Sequence, residues 1–130
     1  MDISNLDLTA ASDSGATIDL VHPGTGADLG IKIGVTGFES EAVKAAERAY
    51  LRGVQDRKKK PDPAEFLMGR RVAVAAASVT SVTGMEVGQE AITVDKLRAM
   101  LADPSWIWIL EQVEEVAGDR ASFFTDTATT

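Results

Sequence analysis

The chain has no cysteine and a single histidine. The first absence excludes a disulfide scaffold, thiol catalysis and a zinc site built on thiolates. The second excludes a His-rich metal centre and leaves His22 as the one imidazole that a Ser–His–Asp arrangement could use. Long apolar runs are missing as well. The longest candidate, Val72 to Val82, is diluted by Ala, Ser and Thr and is about half the ~18–20 residues of a membrane span. The stretch MDISNLDLTAASDSG holds three Asp and no apolar run, so it does not read as a secretory signal. The expected location is the cytoplasm in which the chain is made. No internal repeat suggests a solenoid.

What is present is enough for one core. The 130 residues are 45% hydrophobic and 25% charged, which excludes wholesale disorder. The net charge is −7 and is unevenly spread. Residues 1–43 hold one basic and seven acidic residues, 44–71 nine and four, 72–130 three and nine. An acidic total argues against a dedicated nucleic-acid binder, which needs excess Lys and Arg to displace counterions from phosphate. The basic middle suits an acidic protein surface.

Hydrophobic periodicity supplies the elements. Residues 16–22 and 29–36 alternate with a period of two, Leu29, Ile31, Ile33 and Val35 sharing one face, and the turn formers Pro-Gly-Thr-Gly-Ala-Asp lie between them. This predicts a β-hairpin whose apolar face must rest on helices or on a partner's sheet. Ser40 reads as the N-cap of a helix running to about Lys60, with Ala42, Val43, Ala46, Tyr50 and Val54 as its stripe. Arg57-Lys58-Lys59-Lys60 forms its last turn, before Pro61 and Pro63 end it. From Pro63, the residues Met68, Val72, Ala75, Val79 and Val82 repeat at spacings of four and three and predict a second helix, stopped by Gly84. Met85 to Ile92 reads as a turn or short strand. Thr93 caps a short helix to Ala102, and a final helix spans about Ser105 to Ala121, with Trp106, Ile109, Leu110, Val113 and Val116 inward. The expected fold is α+β: an N-terminal β-hairpin followed by about four α-helices, one domain over 16–124 between a flexible arm (1–15) and a flexible tail (125–130).

Candidate chemistry is sparse. His22 precedes Pro23 at a hairpin tip, the ordinary place for a turn residue. Gly24-Thr25-Gly26 leads into a strand, whereas a phosphate loop leads into a helix N-terminus. Glu111, Glu114, Glu115 and Asp119 share a helix face and could meet a hard cation, but no matching ligand set accompanies them. No residue set pairs a nucleophile with its base. The expectation is a non-enzyme with no cofactor and no metal. Binding signals are clearer. Trp106 and Trp108 lie two apart and cannot both face inward on one helix. One is expected in the core and the other, with Phe123 or Phe124, as an exposed aromatic anchor. Arg57, Lys58, Lys59 and Lys60, with Arg70-Arg71 nearby, read either as a helix cap and solvated loop or as a docking patch for an acidic protein surface or nucleic acid.

The order of several segments is distinctive. Leu20-Val21-His22-Pro23-Gly24-Thr25-Gly26, Leu29-Gly30, Ile33-Gly34-Val35-Thr36-Gly37 and Glu39-Ser40 precede a basic helix. Leu101-Ala102-Asp103-Pro104, Trp108-Ile109-Leu110-Glu111-Gln112-Val113 and Gly118-Asp119-Arg120-Ala121-Ser122-Phe123-Phe124 come late. Over about residues 16–124 this resembles the tail assembly chaperones of long-tailed bacteriophages and prophages. One departure is Val82-Thr83-Gly84-Met85, where such proteins often carry a Trp-Gly pair. The resemblance implies a protein of the host cytoplasm that binds the apolar tape measure protein, keeps it soluble, recruits tail tube subunits to it and is absent from the finished virion. The contact candidates are Trp106, Trp108, Phe123 and Phe124, with Arg57, Lys58, Lys59 and Lys60 as a second patch. Neither nucleic acid nor membrane is an expected partner, and homo-oligomerisation is left open. The alternative is a structural virion subunit, a head–tail connector or tail component, assembling by strand addition. A nucleic-acid-binding regulator using residues 44–71 is third.

Overall fold

The computed structural model describes residues 1–124; the expected tail at 125–130 lies outside them. The chain opens with a 3-10 turn at Ser4–Leu6 and a helix, α1, at Leu8–Ser14. Asp7 starts α1 by accepting the Ala10 amide. The expectation of a loose arm over 1–15 is corrected here. Ser12 is buried, and its carbonyl accepts the Gly37 amide at 3.0 Å. The buried Ser12, its backbone hydrogen bond to Gly37 and the Asp13 carboxylate on the Glu41 amide hold the helix, and such polar contacts leave no trace in hydrophobic periodicity.

The expected hairpin is present as β1 (Ala16–Val21) and β2 (Asp28–Val35), antiparallel, with Ile18 opposite Ile33 and Leu20 opposite Ile31. These residues, with Val35, face the core, while Asp19 and Lys32 pair across the outer face at 2.6 Å. Hydrogen bonding to Asp19 raises the Lys32 pKa. Leu29 stays exposed: the register shifts between Leu20 and Val21, which pair with Ile31 and Asp28, so Leu29 and Gly30 are the extra residues of a bulge.

β2 is the central strand of three. Helix α2 (Glu41–Gln55), capped by Ser40, leads to α3 (Pro63–Ser78), capped by Asp62. The chain then passes directly into β3 (Val79–Thr83), antiparallel to β2. Two expectations are corrected. The second helix does not continue to Val82; residues 79–83 complete the sheet that the hairpin needs. The first helix ends at Gln55, so Arg57 to Lys60 form a loop beyond it. Lys60 Nζ folds back to donate to the carbonyls of Val54, at 3.0 Å, and Gln55. The C-terminal half adds a hairpin of β4 (Glu86–Val87) and β5 (Glu90–Ala91), helix α4 (Val94–Met100), a 3-10 turn at Pro104–Trp106, helix α5 (Ile107–Ala117) and a last 3-10 turn at Arg120–Phe123.

The architecture is α+β in two layers. Helices α3 and α5 cover one face of the β1-β2-β3 sheet, and α4 lies along β3. Leu20, Ile33, Val79, Leu97, Leu110 and Val113 are wholly inaccessible between them. Helix α2 packs on α3 and buries only Val43 completely. Tyr50 joins the pair: its hydroxyl donates to the Phe66 carbonyl at 3.0 Å, and its ring lies 5.8 Å from that of Phe66.

An edge strand is open to pairing with another chain unless something blocks it. Gln112 on α5 blocks β1 at Val21: its carboxamide accepts the Val21 N–H at 3.0 Å and donates to the Val21 carbonyl at 2.9 Å, as a neighbouring strand would. Gln112→Ala leaves both part-buried groups without their partner. It is expected to destabilise the chain by about 1–2 kcal/mol in urea unfolding and to add concentration-dependent self-association in light scattering. An unchanged midpoint with no association would show that water replaces the side chain without loss.

Candidate functional site

The sequence-predicted residues do not gather in one place. Trp106 and Trp108 do come together, in an apolar cleft of about 310 Å³ walled also by Met85, Met100 and Ile31, with the β4–β5 hairpin along one side. Both indole side chains are half-buried and pack against the core. The division into one core and one exposed tryptophan is therefore corrected. Pro104 opens a 3-10 turn that carries Trp106, with Asp103 accepting the Ser105 amide at 2.9 Å, and the α-helix begins only at Ile107. The two residues do not lie on one helical wheel, so the two-residue spacing does not turn them to opposite faces.

The cleft wall is built locally. Gly88 and Gln89 are the two loop residues of the β4–β5 hairpin, and both have positive φ, 57° and 72°. That is the signature of a tight type I′ turn, and Gly88 supplies the first position without strain. The Ile92 amide closes the hairpin on the Met85 carbonyl at 3.0 Å, and an ion pair from Lys96 to Glu90 ties it to α4. Arg98 anchors α4 by donating to the carbonyls of Ala76, at 3.0 Å, and Val79, at 2.7 Å, which sets the position of Met100 at the helix end. Sequence reasoning reads Met85 to Ile92 as a turn or short strand, but it misses Met85 and Met100 as parts of the site and does not place the hairpin beside the tryptophans. The only signal was the Gly84–Gly88 punctuation around Met85.

Phe123 lies elsewhere. It sits in the last 3-10 turn and lines a more polar recess with Ser14, Thr17 and Val116. Phe124 is half-buried at the end of the described residues. The exposed aromatic anchor expected from these two is thus not what the fold makes of them. Arg57, Lys58, Lys59 and Lys60 are all exposed in the α2–α3 loop.

The remaining candidates are occupied structurally. His22 Nδ1 accepts the amides of Gly24, at 2.9 Å, and Thr25, at 3.1 Å, so the ring braces the β1–β2 turn. Glu114 takes two hydrogen bonds from Arg71, at 2.9 and 2.6 Å, pinning α3 to α5. This contact raises the Arg71 pKa still further, as Glu39 does for Arg120. Asp119 caps the last 3-10 turn, and Glu111 and Glu115 face solvent. Among the described residues no group of three His, Cys, Asp or Glu is placed to hold a metal ion, and no helix is long and apolar enough to cross a membrane.

Fold and cleft together define an α+β protein that offers an apolar, methionine- and tryptophan-lined surface. Comparison with protein-family models, with curated proteins and with solved structures returns no match for this chain.

Proposed function

We propose that this chain is a non-enzymatic tail assembly chaperone, which binds a tape measure protein, keeps it soluble in the host cytoplasm and recruits tail tube subunits to it. The observation that supports this reading most is the cleft. A holdase for a helical client needs an apolar groove able to accept the stripe of an amphipathic helix. Methionine side chains adapt to varied apolar surfaces, and half-buried tryptophans give large contact area for little conformational entropy. The rival reading, a virion subunit joined by strand addition, has less behind it. Gln112 occupies the edge of β1 at Val21, and Arg98 takes the Val79 carbonyl of β3.

Co-expression with a tape measure fragment tests the proposal. The fragment is expected to co-purify with the wild-type chain and to precipitate without it. Trp108→Ala should weaken the complex about tenfold or more, the scale of an aromatic contact residue. Val87→Asp, at an exposed position on the cleft wall, should weaken it without unfolding the chain. A fragment equally soluble alone would end the chaperone reading, and detection of the chain in purified particles would favour the virion subunit.

A further inference from the structure

The structure divides the cations of this acidic chain into two sets. Lys32, Arg70, Arg71, Lys96, Arg98 and Arg120 each have an ion-pair partner. The other seven are Lys44, Arg48, Arg52, Arg57, Lys58, Lys59 and Lys60, and none has an ion pair among the described residues. All seven belong to α2 and the loop that follows it. Lys44, Arg48 and Arg52 repeat every four residues, so they form one stripe along the exposed side of the helix. Only Glu47 and Asp56 interrupt the segment, and Glu47 is already engaged by Arg70 at 2.6 Å.

An apolar groove opens beside this charge. It lies between the last turn of α2 and the first turns of α3, has a volume of about 590 Å³, and is lined by Val54, Pro61, Pro63, Phe66 and Leu67 with Lys60 at its rim. Leu67 is 57% exposed there, and Leu51, four residues before Gln55 on α2, is 37% exposed. Isolated exposed leucines need no explanation, but an apolar groove that exposes Leu67, with Lys60 at its rim and a recess beside it where Arg57, Lys59 and Lys60 outnumber Asp62 and Glu65, has a definite complement.

We infer that this groove at the tip of the α2–α3 pair docks an acidic amphipathic helix of a partner protein, its apolar stripe against Leu67, Val54 and Phe66 and its Asp and Glu side chains against Arg57, Lys58, Lys59 and Lys60. Charge complementarity selects the occupant. A neutral helix would leave the cations unused. Nucleic acid would use the cations but not the aliphatic lining, and the groove's one aromatic ring, Phe66, is already packed on Tyr50. The site is separate from the tryptophan cleft and stands independently of the proposed client.

The test uses fluorescein-labelled model helices of about 18 residues, five turns, with leucine on one face and Glu, Gln or Lys on the other, and a single-stranded DNA oligonucleotide. Binding to the full chain is read by anisotropy at low and high salt. The Glu helix is expected to bind about tenfold more tightly than the Gln helix at low salt, with the advantage lost at high salt, and the Lys helix not to bind. Leu67→Asp and the combined R57E, K58E and K59E change only exposed positions. Each should weaken the Glu helix about tenfold, and the charge reversal should also remove the salt dependence. Equal binding of the Glu and Gln helices would overturn the inference. So would DNA binding indifferent to Leu67→Asp, which would make the stripe a phosphate surface. Because no tape measure fragment enters the assay, failure here and failure of the chaperone reading are told apart.

Discussion

Leu110→Ala is expected to lower the unfolding free energy by about 3–5 kcal/mol, the upper range for truncating a fully buried leucine. Leu110 is wholly inaccessible, in the middle of α5 where the helix lies on the sheet. Truncation removes buried methyl groups and leaves a cavity that the surroundings cannot close, because α5 is fixed on one side by Arg71–Glu114 and on the other by Gln112–Val21. A domain of this size has about 5–15 kcal/mol in all, so the variant should be marginal at the temperature at which the wild type is stable. The companion is Ile107→Ala on the same helix, 36% exposed, expected to change stability by about 1 kcal/mol or less. Urea unfolding followed by tryptophan fluorescence gives both values, and the midpoint should move with the slope unchanged. Equal effects at the two positions would mean that α5 does not present Leu110 to the core.

The same helix shows what could be read in advance. Its inward residues Ile109, Leu110 and Val113 follow from spacing alone, and the two-residue period at Ile18–Leu20 and Ile31–Val35 gives the first two strands with their correct face. The caps Ser40 and Thr93 fall where the sequence puts them. The third strand was hidden by a coincidence. Met68, Val72, Ala75, Val79 and Val82 keep helical spacing across the α3–β3 boundary. A strand would ordinarily turn Val79 and Val82 to opposite faces. Here Thr80 is the extra residue of a bulge, Val35 pairing with Val79 and Gly34 with Ser81, so both valines reach the core at a spacing of three. The contrary signal was composition: four of the five residues from Val79 to Thr83 are β-branched. The cleft was half legible. The tryptophans announced themselves, but the methionines that complete it come from two other segments, which only the hairpin and α4 bring beside them. The cations of α2 and of the loop after it, which have no ion pair among the described residues, are a different case. They are plain in the sequence, yet which cations have partners depends on contacts such as Arg71–Glu114, 43 positions apart.

Removing residues 1–14 is expected to destabilise the fold by about 1.5–4 kcal/mol, although periodicity marks the segment as dispensable. The estimate has two parts. The buried Gly37 amide loses the Ser12 carbonyl, and an orphaned buried N–H costs about 1–3 kcal/mol. The first turn of α2 also loses Asp13, whose carboxylate accepts the Glu41 amide at 3.1 Å and adds to the Ser40 cap, for about 0.5–1 kcal/mol. A substitution separates this account from a general effect of shortening. A Cβ on Gly37 would come within 2.6 Å of Ser12 Oγ and 3.0 Å of the Phe123 ring, so Gly37→Ala in the full chain should push α1 away and lose much of the same energy. In the shortened chain the Ser12 clash is gone, and the same substitution should cost far less. Urea midpoints of the four chains complete the cycle. Strong non-additivity would place the contribution of α1 at the Ser12–Gly37 contact. Two independent, additive losses would mean that α1 acts through some other part of the surface, and an unchanged midpoint on deletion would return residues 1–14 to the loose arm that their composition suggests.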